Sequence, residues 1–353
     1  MAPNPRVSVV MPAFNAERYL AEAIESILGQ TFGDFEFIII NDGSTDGTAE
    51  ILESWRAADP RIRVRTQDNL GVATSMNVGC ELARGDYIAR MDADDISLPE
   101  RLGKQVEFLD KHPNIRVCGT WMRTFGDSSH SLCRYPQDPQ IAQSTLHFQL
   151  PVIGPAVMFE KTLYSGRGVR RNSNVGAADD YLFIVECSKY TGISSIPEVL
   201  YLYRQHATQI TKTHRSQQHQ FAKQIRLQQL EELGMQPTED EINVHEKICT
   251  WQMEGDQSSV EKIEDWLAKL KLTNVGKQKY PQEAFALVLW EYWFAACTRN
   301  SHLGLWAYRK LYNSALSADM NLEIGRKLKL LAKCTMYRPA QSTHLLRGFS
   351  HRN

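Results

Sequence analysis

Three carboxylates that span only four positions form the clearest chemical signal in this 353-residue sequence. Asp92, Asp94 and Asp95 directly follow an apolar run that ends at Met91. Carboxylates this close repel one another unless a cation binds among them, and Mn²⁺ or Mg²⁺ suits such oxygen ligands. The same cation can bridge a diphosphate. The cluster therefore predicts a divalent-cation site; the alternative is an acidic loop in which Asp95 or Ser97 caps a helix.

Two earlier polar segments could serve the same site. Pro12-Ala13-Phe14-Asn15 follows the first apolar run, and Asn41-Asp42-Gly43-Ser44-Thr45-Asp46-Gly47 follows the second. Phe14 offers a flat ring, and Asp42 offers a carboxylate that can accept a hydrogen bond from a base N–H. By itself Phe14 would be core packing, and Asp42 would be a turn residue, since Asp, Gly and Ser all favour turns.

Two later segments also carry groups that could take part in chemistry. Asp179 and Asp180 open a predicted helix, where adjacent carboxylates often act only as caps favoured by the helix dipole. Arg204 and His206 lie in Tyr203-Arg204-Gln205-His206. Taken alone, they would be a solvated charge and a surface or hydrogen-bonded histidine.

The elements that must position these groups alternate between strands and helices, as in successive βαβ units of a parallel sheet. The predicted strands are Val7–Met11, Phe35–Asn41, Ile62–Thr66, Tyr87–Met91 and Ile115–Trp121. The predicted helices are Ala16–Gly29, Thr48–Ala58, Val72–Ala83 and Pro99–Lys111. Ser97 and Glu100 fit a capping box for the last helix. Because ligands bind beyond the carboxyl ends of parallel strands, we expect the polar segments to surround one crevice.

The rest of the chain changes character near Thr213. Before it, predicted strands at Ala156–Phe159 and Val199–Tyr203 flank a predicted helix at Ala178–Tyr190. After it, helical periodicity takes over. The helix-start signals there are Thr238 with Glu241, Ser258 with Glu261, and Tyr280-Pro281. We therefore expect a catalytic domain over residues 1–213 and an all-α domain over residues 214–353.

Composition excludes several classes of function. The chain is 42% hydrophobic and 23% charged with a net charge of -1, so nothing in it predicts nucleic-acid binding. Its seven cysteines are scattered without a C-x-x-C pair, which predicts reduced thiols, a cytoplasmic location and no zinc site. The first residues predict no signal peptide, and Ala284–Cys297 is too short to span a membrane.

At this point the motifs resemble a known family. Val7 to Asn15, Asn41 to Asp46, and Tyr87 to Asp95 followed by Pro99-Glu100-Arg101-Leu102 closely resemble family 2 glycosyltransferases, in this order and spacing. The resemblance covers roughly residues 5–213. It implies an α/β GT-A fold, which is Rossmann-like with a mostly parallel sheet and helices on both faces, followed here by the all-α domain. It also implies an inverting hexosyl- or N-acetylhexosaminyl-transferase.

The resemblance also implies roles for residues that would hold a donor, expected to be a UDP-sugar. Asp42 would meet the uracil edge, and Asn69 the base or ribose, with Asn77 nearby. In the D-x-D element Asp92-Ala93-Asp94, Asp92 would face the ribose or diphosphate and Asp94 would bind Mn²⁺ or Mg²⁺. The residues placed along the nucleotide are Pro12, Ala13, Phe14 and Asn15.

The later segments complete the implied site. Asp180 would be the general base, while Asp179 replaces the glutamate that relatives use to touch a sugar. Tyr203-Arg204-Gln205-His206 with Ile210-Thr211 resembles the family's closing segment, in which Arg204 reaches the diphosphate and His206 the metal. Met76 replaces a basic residue of many relatives, so the diphosphate charge must rest more heavily on the metal and Arg204.

Three rival functions differ in what they require. A sugar nucleotidyltransferase needs a glycine-rich, basic phosphate loop after the first strand, and a Rossmann dehydrogenase needs G-x-G-x-x-G there; Pro12-Ala13-Phe14-Asn15 is neither. A catalytically silent subunit that binds sugar nucleotides or glycans would share all the motifs. Only an assay of transfer or hydrolysis separates it from an enzyme.

The acceptor and the location are predicted only by class. The family implies a glycan acceptor in polysaccharide, lipopolysaccharide or lipid-linked oligosaccharide synthesis. The chain's last segment fits peripheral contact with the inner face of the cytoplasmic membrane, because its cations alternate with leucines as in a basic amphipathic helix. The alternative is a helix packed on the domain. The cations are Arg326, Lys327, Lys329, Lys333, Arg338, Arg347 and Arg352.

Overall fold

The computed structural model describes residues 4–127, 130–207, 209, 215–318 and 324–335. These residues form two compact units. The first contains the described residues of 4–142 and 150–222, and the second contains residues 143–149 with those from Lys223 onward. The predicted domain boundary at residues 213 and 214 lies outside the described residues and stays a prediction.

One mixed sheet, with nine strands among the described residues, forms the framework of the first unit. The strands are β1 (Val7–Ala13), β2 (Phe35–Asp42), β3 (Ile62–Gln67), β4 (Tyr87–Arg90), β5 (Ile96–Ser97), β6 (Ile115–Gly126), β7 (Leu132–Cys133), β8 (Met158–Glu160) and β9 (Gly192–Gln205). Their order is β3-β2-β1-β4-β8-β6-β9-β5, and β7 pairs with β6.

The sheet is parallel where the sequence pattern predicts βαβ units. Strands β3, β2, β1 and β4 pair in parallel, and β6 pairs in parallel with β9. Strand β8 lies between the two groups and is antiparallel to both β4 and β6. The carboxyl ends of β1, β2 and β4 therefore meet at one edge, as expected for a ligand crevice.

Seven α-helices accompany this sheet among the described residues. They are α1 (Leu20–Leu28), α2 (Thr48–Ala58), α3 (Val72–Leu82), α4 (Arg101–Lys111), α5 (Pro139–Thr145), α6 (Lys161–Ser165) and α7 (Asp179–Ser188). The apolar stripe of α1 packs into the core around β1, whose seven residues are all buried. Burial of each such aliphatic side chain contributes about 1.5–3 kcal/mol.

Two predicted helix starts were wrong for local reasons. Helix α1 begins at Leu20 rather than Ala16, because the amide of Ala16 donates to Thr48 Oγ1 and that of Glu17 to Asp46, which holds this stretch as a loop. Helix α4 begins at Arg101. Ser97 lies in β5 instead of capping it.

After Thr213 the described residues form helices joined by short loops, with no strand among them, as predicted. Its helices are α8 (Arg215–Glu232), α9 (Glu239–Cys249), α10 (Gln257–Lys277), α11 (Gln282–Arg299), α12 (Leu305–Asn313) and α13 (Ile324–Thr335). The Thr238 and Glu241 capping box is confirmed. The box at Ser258 was wrong, because Asp256 caps α10 by accepting from the Ser259 amide.

Aromatic side chains fill the core of the second unit. His147 and Phe148, from the segment 143–149, pack edge-on or tilted against Tyr280, Phe285 and Tyr292. Such pairs add about 0.5–1.5 kcal/mol beyond the area that they bury. Among the described residues, no helix combines the length and the apolar character needed to span a membrane.

Candidate active site

The acidic loop after β4 holds its three carboxylates together. One oxygen each from Asp92, Asp94 and Asp95 lies within 4.8 Å of the others, and Asp95 is fully buried. Burial and the neighbouring Asp92 raise the pKa of Asp94, and burial with Asp94 and Asp92 raises that of Asp95 well above its usual range. The ionised forms of these carboxyls are thus disfavoured in the protein alone, and a divalent cation bound among them would stabilise those forms.

Strand β9 brings the second part of the site to this loop. Its register with β6 ends at Gln205, which leaves His206 Nε2 at 2.9 Å from Asp94 Oδ2. The Arg204 amide donates to Asp95 Oδ1 at 2.7 Å, and Arg204 Nε donates to the Asp94 carbonyl at 2.7 Å. The structure thus unites His206 and Arg204 with the acidic loop, while Ile210 and Thr211 lie outside the described residues.

Three residues around Arg204 were missed by sequence reasoning. Its guanidinium lies 4.5 Å from the ring centre of Tyr19 and 4.4 Å from that of Phe125, and it donates to Glu22. Tyr19 and Glu22 are ordinary residues at the start of α1, and no motif marks them. Two rings and a carboxylate fix the guanidinium beside the acidic loop.

The segment after β1 presents one ring to solvent. Pro12 and Ala13 are buried within β1, whereas the Phe14 ring is 49% exposed. Asn15 adopts a φ of 48° and its side-chain oxygen accepts from the Thr45 amide at 2.8 Å. This contact joins the loops after β1 and β2, so Phe14 forms an exposed apolar surface at the predicted crevice.

Asp42 has a structural task that the motif did not reveal. Its buried carboxylate accepts from the amides of Leu70 at 3.0 Å and Gly71 at 2.8 Å, and from Gln67 Nε2 at 2.7 Å. These bonds shape the loop on which Asn69 is exposed. Asp42 therefore organises this loop, whatever it binds in addition.

The side-chain amide of Asn77 is likewise hydrogen-bonded within the protein. Asn77 Nδ2 donates to the Arg171 carbonyl at 2.9 Å, and Asn77 Oδ1 accepts from the Arg171 amide at 3.0 Å. Met76, beside it, is fully buried and offers nothing to a phosphate. Asn77 thus connects α3 to the segment that leads into the acidic pair.

The acidic pair opens α7, as predicted, but its two members differ. Asp179 is buried and forms an ion pair with Arg171 at 2.5 Å, so it is engaged by the protein itself. Asp180 is half-buried. Burial and then Asp179 raise the pKa of Asp180 to about 6, although Arg90 and Arg171 act against them. A carboxylate with such a pKa can both take and release a proton near neutral pH.

Arg90 links the acidic pair to the acidic loop. It is buried in β4 and its Nε lies 3.0 Å from Asp92 Oδ1. Burial alone would lower its pKa, but Asp92, Asp179 and Asp180 raise that pKa above its usual range. One buried cation thus faces both groups of carboxylates.

Comparisons with known proteins show the family of the chain. The sequence profile of glycosyl transferase family 2 matches residues 8–152. An uncharacterised glycosyltransferase of Haemophilus influenzae is 33% identical over 233 residues, which cover 63% of this chain and 72% of that one. The chain belongs to glycosyltransferase family 2. It is a glycosyltransferase, as the motifs predicted.

Solved structures of other transferases show the same fold. Residues 1–349 of Staphylococcus aureus TarS in complex with UDP-GlcNAc align with a TM-score of 0.57 and 17% identity, over 82% of this chain and 90% of that one. The mannosyltransferase PcManGT of Pyrobaculum calidifontis in complex with GDP-Man and Mn²⁺ aligns with a TM-score of 0.51 and 17% identity, over 85% of this chain and 88% of that one. The predicted GT-A fold is confirmed.

Gly154 lies against the carboxylate of Asp180, so a methyl group added at position 154 should disturb that carboxylate. A Cβ at position 154 would lie 2.4 Å from Asp180 Oδ2, so Gly154→Ala must displace that carboxylate. We expect about a 10²-fold or greater loss of glycosyl transfer, because misplacement by about 1 Å has that cost. Gly103→Ala is the control, since its Cβ would meet only Phe32 at 3.6 Å. Equal activities of the two variants would contradict the prediction.

Proposed function

We propose that this family 2 glycosyltransferase moves a sugar from a nucleoside diphosphate donor, a UDP-sugar, to a hydroxyl of a glycan acceptor with inversion of configuration. One observation carries the proposal. The carboxylates of Asp92, Asp94 and Asp95 lie together beside Arg204, and buried Arg90 interacts with both Asp92 and Asp180, a carboxyl of raised pKa. A transferase of this kind requires a site for the leaving diphosphate and a base for the acceptor.

The donor set suits Mn²⁺ or Mg²⁺. Asp94 and Asp92 would hold the cation through carboxylate oxygens, with His206 Nε2 beside Asp94 as a further ligand. When bound, such a cation neutralises the charge that builds on a leaving diphosphate. PcManGT, which has the same fold, was solved with both GDP-Man and Mn²⁺.

The nucleotide would lie along the loops after β1 and β2. Phe14 offers an exposed ring for the base, and Asn15 and Asn69 lie on the loops that border it. Asp42 Oδ2 accepts from one amide, Gly71, and a carboxylate oxygen can accept twice, so it can also meet a uracil N–H. Pro12, Ala13 and Ala93 would contribute main-chain groups, and Asn77 would act through Arg171.

The chain's own residues would carry the transfer in one displacement. Asp180 takes the proton of the acceptor hydroxyl, and that oxygen forms the new bond to the anomeric carbon. The bond from this carbon to the diphosphate oxygen breaks on the opposite side, which inverts the configuration. Arg204 holds the leaving diphosphate by charge-assisted hydrogen bonds.

The acceptor class follows from the family, and polysaccharide, lipopolysaccharide and lipid-linked oligosaccharide chains all fit. Membership of the family favours an enzyme over a silent binding subunit. The segment after β1 has no lysine or arginine between Pro12 and Asn15, which argues against a nucleotidyltransferase.

The metal assignment predicts that Asp94→Ala abolishes Mn²⁺-dependent binding of UDP while the protein stays folded. Isothermal calorimetry with and without Mn²⁺ measures this effect. His206→Ala should weaken binding less, because a neutral imidazole contributes less than a carboxylate to holding a hard cation. Asp240→Ala, at an exposed carboxylate in the first turn of α9, is the control and should bind as the wild type does. Unchanged affinity of Asp94→Ala in Mn²⁺ would remove Asp94 from the site.

The base assignment predicts that Asp180→Asn binds the donor but loses transfer by about 10²- to 10⁴-fold, the usual contribution of a positioned base. Asp179→Asn should lose less, because its carboxylate is bound to Arg171. Calorimetry with the donor and initial rates of transfer separate the two effects. The reverse order of severity would place the base at Asp179.

Contact with an anionic membrane is proposed for α13 and the segment after it. Leu328 is 60% exposed and Lys329 is exposed beside it, while burial, Lys329 and Arg299 lower the pKa of Lys333. Part of the helix is packed, since Arg326 pairs with Glu291 at 2.7 Å. Arg338, Arg347 and Arg352 lie outside the described residues, as does the side chain of Lys327.

This proposal predicts salt-sensitive co-sedimentation with anionic liposomes, because a basic side chain near such a surface contributes about 1 kcal/mol. The double variant Leu328→Ser with Lys329→Glu should sediment less. Leu272→Ser removes another exposed leucine, on α10, and is the matched control. Equal sedimentation of all three proteins, or none by any, would leave α13 as ordinary helical packing.

A further inference from the structure

The acidic pair is flanked by a buried cation that no motif predicted. The side chains of Arg171 and Asp179 are only 3% and 6% exposed, and Arg171 Nη1 lies 2.5 Å from Asp179 Oδ2. Burial of an ion pair has a large desolvation cost, and an apolar pair of similar volume often serves stability as well. Stability alone therefore does not explain why an ion pair is buried beside the proposed base.

Three contacts fix Arg171 in place. The side-chain amide of Asn77 binds both the carbonyl and the amide of Arg171, at 2.9 and 3.0 Å. The guanidinium carbon lies 4.8 Å from the ring centre of Phe183, one turn along α7 from Asp179. Arg171 is thus anchored to α3 through its backbone and to α7 through its side chain.

We propose that Arg171 is the positioning residue of the general base: it binds Asp179, removes that carboxylate from the acceptor site and cancels its charge, so that Asp180 alone meets the acceptor hydroxyl. The inference rests on the proposed function, which makes Asp180 the base. It also replaces the expectation that the residue at position 179 touches a sugar, because the carboxylate of Asp179 is already bound by the protein.

The charges that face Asp180 come from several elements. Asp179 precedes it on α7, Arg171 lies in the segment before α7, and Arg90 lies in β4. The Tyr135 hydroxyl faces it from the loop after β7. Loss of Arg171 removes a positive charge and leaves the negative charge of Asp179 uncompensated. Both changes disfavour the ionised form of Asp180.

The experiment is a double-mutant cycle on the pH dependence of kcat at saturating donor and Mn²⁺. A base must be deprotonated to act, so kcat of the wild type should fall as the pH drops through about 6. Arg171→Met should move this acid limb upward by on the order of one pH unit, and Asp179→Asn should move it downward. The double variant, in which neither charge remains, should return the limb to within a few tenths of the wild-type position.

Control variants separate this role from simple packing. Arg171→Lys keeps the charge and should keep the position of the acid limb. Arg226→Met removes an arginine that is only 6% exposed and pairs with Glu246 in the other unit, and it should leave the limb unmoved even if stability falls. If Arg171→Met does not fold, the double variant still tests the inference. Its acid limb must then lie at a higher pH than the acid limb of Asp179→Asn.

A second readout is independent of turnover. Side-chain ¹³C NMR of labelled aspartate gives the pKa of Asp180 directly in the same four proteins and should show the same opposite shifts. Shifts of both single variants in one direction, or none, would overturn the inference. A wild type that neither transfers sugar nor hydrolyses donors would instead contradict the proposed function, while the NMR result would still decide the placement of charge.

Discussion

The candidate site of this glycosyltransferase depends on a buried arginine that compensates the carboxylates gathered at one edge of the sheet. Arg90 in β4 faces Asp92 on one side and the acidic pair of α7 on the other. Without a buried cation in this position, the two acidic groups would repel each other in a low-dielectric interior, and their carboxyls would take up protons. Because Arg90 belongs to a central strand, the compensating charge is as rigid as the sheet itself.

The long parallel pair of β6 and β9 makes the second essential contribution. It carries Arg204 and His206 to a loop that lies more than 100 positions earlier in the chain. The Arg204 amide binds Asp95, which ties the end of β9 to the acidic loop. The ring of Tyr19, just before α1, and the ring of Phe125, in β6, both contact the guanidinium of Arg204. The end of β9 is therefore held against the acidic loop by contacts within the protein itself.

The two members of the acidic pair show how neighbours in sequence acquire different roles. Asp179 and Asp180 have the same side chain and open the same helix. Arg171 pairs with the first, whereas Gly154 packs against the carboxylate of the second. In family 2 enzymes with a glutamate at the first position, the longer side chain would reach farther. Here the shorter aspartate is buried and pairs with Arg171.

Local signals in the sequence predicted most of the first unit. The strands β1 to β4 and the helices α2 and α3 lie within two residues of their predicted bounds, because apolar periodicity and the buried face of each element coincide. The motifs also singled out Asp92, Asp94, Asp180 and His206; the structure brings His206 to Asp94, and the roles of all four stay predictions. The errors at Ala16 and Ser97 arose where residues distant in sequence, Thr48 at the start of α2 and Gln30 after α1, formed hydrogen bonds with them.

What the sequence determined was which residues could do chemistry; what only the tertiary structure decided was which other residues each of them contacts. Asp42, Asn77 and Asp179 have the right residue types, and each also binds a segment that no motif indicates: Leu70 and Gly71, the Arg171 backbone, and the Arg171 guanidinium. Glu22, Tyr19 and Arg171 carry no motif and became part of the site only by contact. The physical reason is that hydrogen bonds and ion pairs are satisfied in three dimensions, whereas a motif records only spacing along the chain.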